Sequence, residues 1–339
     1  MEDPLRSPLP GLTESVHRSL EEIPPAWRGC PLALCLSGGA DSSALALLLV
    51  RREFRERLPT GMEALHVRHH LRGAQSQGDA DSVHELCGRL GLPLRILDAP
   101  VASGPGLEAR CRQARYHALR QAAPRTILAT AHHRDDQAET VLLRLLRGAH
   151  ARGLAGIHPW RDDGVWRPLL GADRADLESI CRSEGWRPRF DASNGDRRFF
   201  RNEIRLDLLP RWERESPGIA HALADLADAT HRLAPHLERA LDRLADRVGL
   251  AIDPRGFALC LEGLDDPCVD PELALLLERT WNRVGRRPWA GQQLSRLLAD
   301  ASRPGAGRRK GGQGETAIWG GRRLQIGRAS CRERVCYVV

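Results

Sequence analysis

The seven residues Ser37, Gly38, Gly39, Ala40, Asp41, Ser42 and Ser43 limit what this chain can fold into more than any other feature. They follow a short apolar run, 31–36, and lead straight into a second, 43–50. Strand, glycine turn and helix in that order open an α/β fold. Two glycines let the backbone turn tightly and aim successive N–H groups into one concavity. The helix that follows adds the partial positive charge of its N-terminus, so the turn makes a cradle for a phosphate or pyrophosphate. Ser37, Ser42 and Ser43 offer hydroxyls to phosphate oxygens, and Asp41 is placed to hold Mg²⁺ against them.

The alternation continues downstream. Apolar runs at 63–67, 94–97 and 126–130 read as strands, and 79–90, 107–121 and 137–147 as helices. Val83, Leu86, Cys87 and Leu90 recur at helical spacing, as do Val141, Leu142, Leu145 and Leu146. This predicts an open, mostly parallel α/β sheet with helices on both faces. Ligands of such sheets sit at the carboxyl ends of strands, where the glycine turn and His132 both fall. Ser216-Pro217-Gly218 reads as a boundary between a domain over 1–215 and a smaller helical and mixed domain over 216–325. Within the latter, 219–248 predicts one long or two shorter amphipathic helices around Pro235, and Gly320-Gly321 a hairpin. Residues 326–339 read IGRASCRERVCYVV, and the first ten match one translation frame of a common sequencing adapter; they are expected to be a non-native tail.

Charge and composition narrow the chemistry. Lys310 is the lone lysine, so neither a Walker A loop nor a Schiff-base lysine can precede it. The net charge is +7, and 283–328 holds ten Arg and Lys310 against Asp300 and Glu315. Such a local basic excess suits nucleic acid, although arginine-rich codon usage also raises the Arg content. Nine Cys occur without a C-x-x-C pair, which predicts scattered reduced thiols rather than a zinc or iron–sulfur site. The longest apolar run, 44–50, is far too short to span a bilayer, and the N-terminus has no secretory pattern, so a cytoplasmic location is expected.

Three further clusters carry chemistry. In Thr130-Ala-His132-His133-Arg134-Asp135-Asp136-Gln137-Ala-Glu139-Thr140, a helix starting near Asp135 gathers His132, Asp136 and Glu139 at its N-terminal end. They could hold Mg²⁺ and take a proton from an amine, or simply cap the helix. Arg112 and Arg115 share a helix face and could clamp a phosphate, or be solvated charges. Asp191-Ala-Ser193-Asn194 with Arg197, Arg198, Phe199, Phe200, Arg201, Asn202 and Arg205 suits a stacked base beside phosphates, or a loop packing its aromatics inward.

S-G-G-x-D-S is the signature of the PP-loop ATP pyrophosphatase superfamily, which the chain resembles. With it, in order, stand H-V-x-H-x-L-R-G, E-A-x-x-R-x-x-R-Y, T-A-H-H-x-D-D-Q-x-E-T, L-R-G-x-x-x-R-G-L-A-G-I, R-P-L-L, D-x-S-N and R-N-x-I-R. Together they are similar to the tRNA(Ile)-lysidine synthase branch, densely over about residues 30–215. The resemblance implies ATP and Mg²⁺ as cofactors, and free L-lysine and the CAU-anticodon tRNA(Ile) as substrates. Lysine would be ligated to C2 of the wobble cytidine through an adenylated intermediate, with AMP and pyrophosphate released. It implies ATP binding by residues 37–43, catalysis by Asp41, His132, Asp136 and Glu139, and Mg²⁺ on Asp41 and Asp136. Arg112, Arg115, Arg201, Asn202 and Arg205 would grip the tRNA nucleotide. Residues 1–215 would be the catalytic domain and 216–325 the tRNA-binding one. No membrane partner is expected, and a homodimer is left open. Arg68 and His70 stand where the branch usually has Asn and Gly. The alternative reading is a PP-loop tRNA thiolation enzyme, against which the absence of Cys pairs speaks.

Overall fold

The computed structural model describes residues 10–58, 61–70, 74–102, 104–149, 151–189, 200–253, 256–260, 271–284, 315–319, 322–329 and 333–338. Leu71, Arg72 and Gly73, the Asp191 to Phe199 stretch and the basic Arg308, Arg309 and Lys310 lie outside them. The chain divides into two compact units, 1–144 with 155–228 and 145–154 with 229–339. The division falls inside a helix, after Asp228.

The first unit opens with α1 (Pro10–Glu21), then β1 (Leu32–Cys35), α2 (Ala40–Leu49), the short α3 (Arg52–Arg55), β2 (Met62–Arg68) and α4 (Ala74–Leu90). It continues through β3 (Leu94–Asp98), α5 (Leu107–Ala122), β4 (Ile127–Ala129), α6 (Arg134–Leu146), β5 (Val165–Trp166) and α7 (Arg174–Ser183). The sheet order is β3-β2-β1-β4-β5, parallel throughout. From β1 the chain winds outward through β2 and β3, then returns to place β4 on the other side of β1. The carboxyl ends of β1 and β4 therefore flank the topological switch point.

Strand alternation sends side chains to two separate cores. Leu32 and Leu34 of β1, Ile127 and Ala129 of β4 and Trp166 of β5 pack with α1, α2, α4 and α7. Ala33, Leu128 and Val165 pack on the opposite face with Leu119 of α5. Helices cover both faces, as the sequence predicts. In α2 every residue from Ser42 to Leu49 is buried, which needs an all-round small or apolar sequence. The helix that carries the glycine turn is thereby fixed in the core. The unexpected α1 adds Leu12, Val16 and Leu20 to that core, and Trp166 Nε1 donates to Ser19 Oγ at 2.7 Å.

After α7 come α8 (Phe200–Glu203), a π-helical turn over Ile204–Leu208, and α9 (Leu209–Glu215). Pro210 cannot donate back into the helix, and the Leu209 N–H reaches five residues back to the Ile204 carbonyl. The widened turn carries Arg205. The single helix α10 (Ile219–Arg247) then runs without interruption through Pro235.

The second unit holds β6 (Ala251–Asp253), β7 (Gly256–Cys260), α11 (Pro271–Val284), β8 (Glu315–Trp319), β9 (Arg322–Ala329) and β10 (Glu333–Val338). Its strands form an antiparallel sheet in the order β6-β7-β10-β9-β8. Trp319 pairs with Arg322, so the expected hairpin is present. β10 falls within the adapter-like stretch. Arg279 of α11 is buried against Glu238 and Asp242, at 3.1 and 2.6 Å.

Candidate active site

The turn after β1 is a glycine structure in the strict sense. Gly38 has φ +90°, and a Cβ there would sit 3.2 Å from the Asp79 carbonyl oxygen. Gly39 is the N-cap of α2 and has no side chain to occupy the first-turn N–H groups. Ser42 holds the turn from inside: its hydroxyl accepts from the Ser37 N–H at 3.1 Å and donates to the Gly39 carbonyl at 3.1 Å. Ser37, Asp41 and Ser42 line a cavity of about 530 Å³, whereas Ser43 is buried in α2. The local chain thus builds a rigid anion cradle at a helix N-terminus.

β4 delivers the second half of the site beside it. His132 hydrogen-bonds Thr130 Oγ1 through Nδ1 at 2.9 Å and lines the cavity. The next residue, His133, turns inward, with Nε2 3.6 Å from Asp41 Oδ2 and 3.7 Å from Asp136 Oδ2. Its backbone N–H donates to Asp136 Oδ2 at 3.1 Å, which caps the start of α6. The surroundings shift these adjacent imidazoles in opposite directions. Burial works against charge on His133, but its hydrogen bonding to the Asp41 carboxylate and the fields of Asp136, Asp41 and Asp135 raise it to about 9. Burial dominates at His132, and with Arg167, Arg112 and Arg201 nearby it falls to about 3. The surroundings thus push the two rings apart, His133 toward the charged form and His132 toward the neutral one.

Asp136 and Glu139 are neutralised from the other side. Arg205 donates to Asp136 Oδ1 at 2.9 Å and to Glu139 Oε2 at 3.1 Å, and its Nε reaches Glu139 Oε1. Arg201 bonds Glu139 Oε2 at 2.9 Å and Asp136 Oδ1 at 3.2 Å. Glu139 is only 1% exposed. Burial opposes ionisation of Asp136, yet His133, His132, Arg201 and Arg205 hold it down at about 2. Four charged groups from α6 and the 200–208 turn therefore form one buried network of forked ion pairs.

The sequence reading places these residues in one site, and the structure brings them to one cavity. Asp41, His132, Asp136, Arg112, Arg115, Arg201, Asn202 and Arg205 all line it. Glu139 supports it from within α6. Two assignments change in kind. Arg201 and Arg205 are bound to the carboxylates themselves, and Ser42 braces the loop. Phe200 is 42% exposed and so is not a core anchor. His133 was not singled out from sequence; the doubled His before α6 marks it, but only the pairing of β1 with β4 brings Asp41 to it.

Among the described residues, no group of three or more His, Cys, Asp or Glu side chains is arranged as a metal site. Asp41 Oδ1 is nevertheless buried without a hydrogen-bond partner. One carboxylate oxygen next to a phosphate cradle is the usual protein share of a Mg²⁺ site completed by substrate phosphates. Asp136 does not fit as directly, since both its oxygens are engaged.

A family model described as a PP-loop domain matches residues 12–212. The tRNA(Ile)-lysidine synthase of Pseudomonas aeruginosa is 38% identical over 291 residues, covering 83% of this chain and 63% of that protein. That of Chromobacterium violaceum is 44% identical over 200 residues, covering 56% of this chain and 45% of that protein. That of Solibacter usitatus is 40% identical over 222 residues, covering 64% and 49%. This chain therefore spans about half to just under two thirds of the length of these curated relatives. Among solved structures, a U34-tRNA thiolase from Methanococcus maripaludis with its 4Fe–4S cluster gives a TM-score of 0.50 at 19% identity. It covers 65% of this chain and 78% of its own, and the likeness is one of fold.

Proposed function

We propose a function on one premise: the chain belongs to the PP-loop domain family, whose model matches residues 12–212. The function is ATP-dependent ligation of free L-lysine to C2 of the wobble cytidine of the CAU-anticodon tRNA(Ile). The named activity of the relatives supports it. The observation that carries it is the convergence of phosphate cradle, neutral imidazole, carboxylates and free guanidiniums on one cavity.

In this reading the ATP phosphates lie in the turn at residues 37–41, held by backbone N–H groups and the end of α2. Asp41 would hold Mg²⁺ through its unpartnered Oδ1; when bound, the ion offsets phosphate charge. The cytidine O2 attacks the α-phosphorus, the bond to the β-phosphate breaks and pyrophosphate leaves. The lysine amine then forms a bond to C2, the C2–O bond breaks and AMP departs with the oxygen. The amine must lose a proton in that step. His132 is held in the neutral form and lines the cavity, where its ring can orient the amine by hydrogen bonding, and ionised Asp136 beside it favours the departure of the positive charge. Charged His133 keeps Asp41 and Asp136 from repelling one another. The protein's share is positioning and charge stabilisation.

Cys35 and Cys111 also line the cavity, as a sulfur-transfer enzyme would require. Burial, however, pushes the Cys35 thiol up to about 12, well into the protonated form. That favours ligation over thiolation. No helix among the described residues is long and apolar enough to cross a membrane; a cytoplasmic location belongs to this reading through its tRNA substrate. The test is the nucleotide product: with tRNA(Ile) and lysine present, ATP should yield AMP and pyrophosphate. Formation of ADP and phosphate, or no dependence on tRNA, would refute the reading.

A further inference from the structure

On the α5 side of the cavity, Arg112 and Tyr116 of its lining adjoin further guanidiniums to which the ligation steps assign no role. Arg112 and Arg161 lie over the Tyr116 ring, at 5.2 and 4.6 Å from its centroid. Arg167 is buried nearby, bonded to the His158 carbonyl, with Nε left without a partner. Burial disfavours the charge on Arg167 most, a hydrogen bond with Tyr116 favours it, and Arg161 and Arg112 stand near enough to weigh against it. Asp163 pairs with Arg161 at 2.6 Å, whereas no acid among the described residues pairs with Arg112 or Arg115.

The position of Arg161 is built in advance. Its N–H donates to the Val165 carbonyl at 3.0 Å, and its carbonyl accepts from the Gly164 N–H at 2.8 Å. Gly164 has φ +79° and lies so close to the Trp27 ring that no side chain fits there. Trp27 Nε1 in turn donates to the Asp162 carbonyl at 3.3 Å. The turn thus presents Arg161 on a rigid support, with its guanidinium stacked on Tyr116 and its side chain 35% exposed. A stacked, preorganised guanidinium loses little entropy on binding an oxyanion. Mutually repelling cations held together on a surface stabilise a polyanion laid across them.

We propose that Arg161, with Arg112 and Tyr116, forms a subsite for a backbone phosphodiester of the RNA chain next to the reacting nucleotide. The subsite rests on the RNA-substrate reading, and it gives the loop between α6 and β5 a positioning role in RNA binding. Phosphate is also present on ATP, so the test separates the two sources. Arg161→Gln should weaken tRNA binding about 5- to 10-fold and reduce the salt slope of log Kd by about 1, since one phosphate contact is lost. KM for tRNA should rise, with kcat at saturating tRNA and KM for ATP unchanged. Arg161→Lys should recover part of the salt slope by restoring the charge, which a folding defect would not do. A rise in KM for ATP, or an unchanged Kd and salt slope for tRNA, would overturn the subsite. If wild type binds tRNA without modifying it and Arg161→Gln still weakens binding, the subsite stands and the ligase reading falls. If wild type modifies tRNA and the variant binds it equally well, the ligase reading stands and the subsite falls. If wild type binds no tRNA, both fall.

Discussion

His133 Nε2 lies 3.6 Å from Asp41 Oδ2, joining the turn after β1 to the segment after β4 through a buried ion pair. The contact spans the topological switch point, where the phosphate cradle meets the carboxylates of α6. It makes the protonation state of one imidazole a property of the whole site.

That state sets the pH response of the ligand-free protein. His133 is raised from 6.5 to about 9, so its contribution to stability is complete below pH 6.5 and is lost as pH climbs through 9. His132 is lowered to about 3, so its contribution is complete above pH 6.5 and is lost as pH falls toward 3. Urea midpoints should therefore fall on both sides of neutrality. His133→Asn should flatten the alkaline limb and also shift the acid limb, since Asp136 loses one of the groups that hold it down; an alkaline limb identical to wild type would contradict the ion pair.

Asp41→Asn should abolish AMP formation while tRNA affinity changes less than about twofold, because it alters the phosphate site and leaves the basic surface intact. Product analysis beside filter binding reads both. Undiminished lysidine formation in this variant would remove Asp41 from the phosphate and metal chemistry.

Glu139→Ala should destabilise the fold by about 3–5 kcal/mol, since it leaves Arg201 and Arg205 partly buried with half their partners gone. Urea unfolding measures this. A loss under about 1 kcal/mol would mean that the network is a surface feature rather than a buried one.

Gly38→Ala places a Cβ 3.2 Å from the Asp79 carbonyl at φ +90°. Strain of about 1–3 kcal/mol is expected, with KM for ATP raised at least about tenfold because the cradle must open. Unchanged ATP affinity would show that the turn does not hold the phosphates.

Local chemistry made much of this legible in advance. The glycine turn needs only its own residues and the apolar runs on either side, and α6 carries its acids within one helix. What escaped the sequence depends on distant pairing. Asp41 meets His133 because Leu32 pairs with Ile127 across β1 and β4. Arg201 and Arg205 read as phosphate ligands, but the fold returns them across 62 to 69 residues to Glu139 and Asp136. The helix α1 went unread because Leu12, Val16 and Leu20 follow a proline-rich start that masks their spacing. Arg161 carried no motif, and only the Gly164 turn against Trp27 sets it beside Tyr116.

The central claim is the ligation itself, and incorporation of radiolabelled lysine into tRNA tests it most directly. With ATP and Mg²⁺, label should enter the CAU-anticodon tRNA(Ile) and stay out of the CAU-anticodon methionine tRNA. Label in neither, from folded protein that binds ATP and tRNA, would contradict the account.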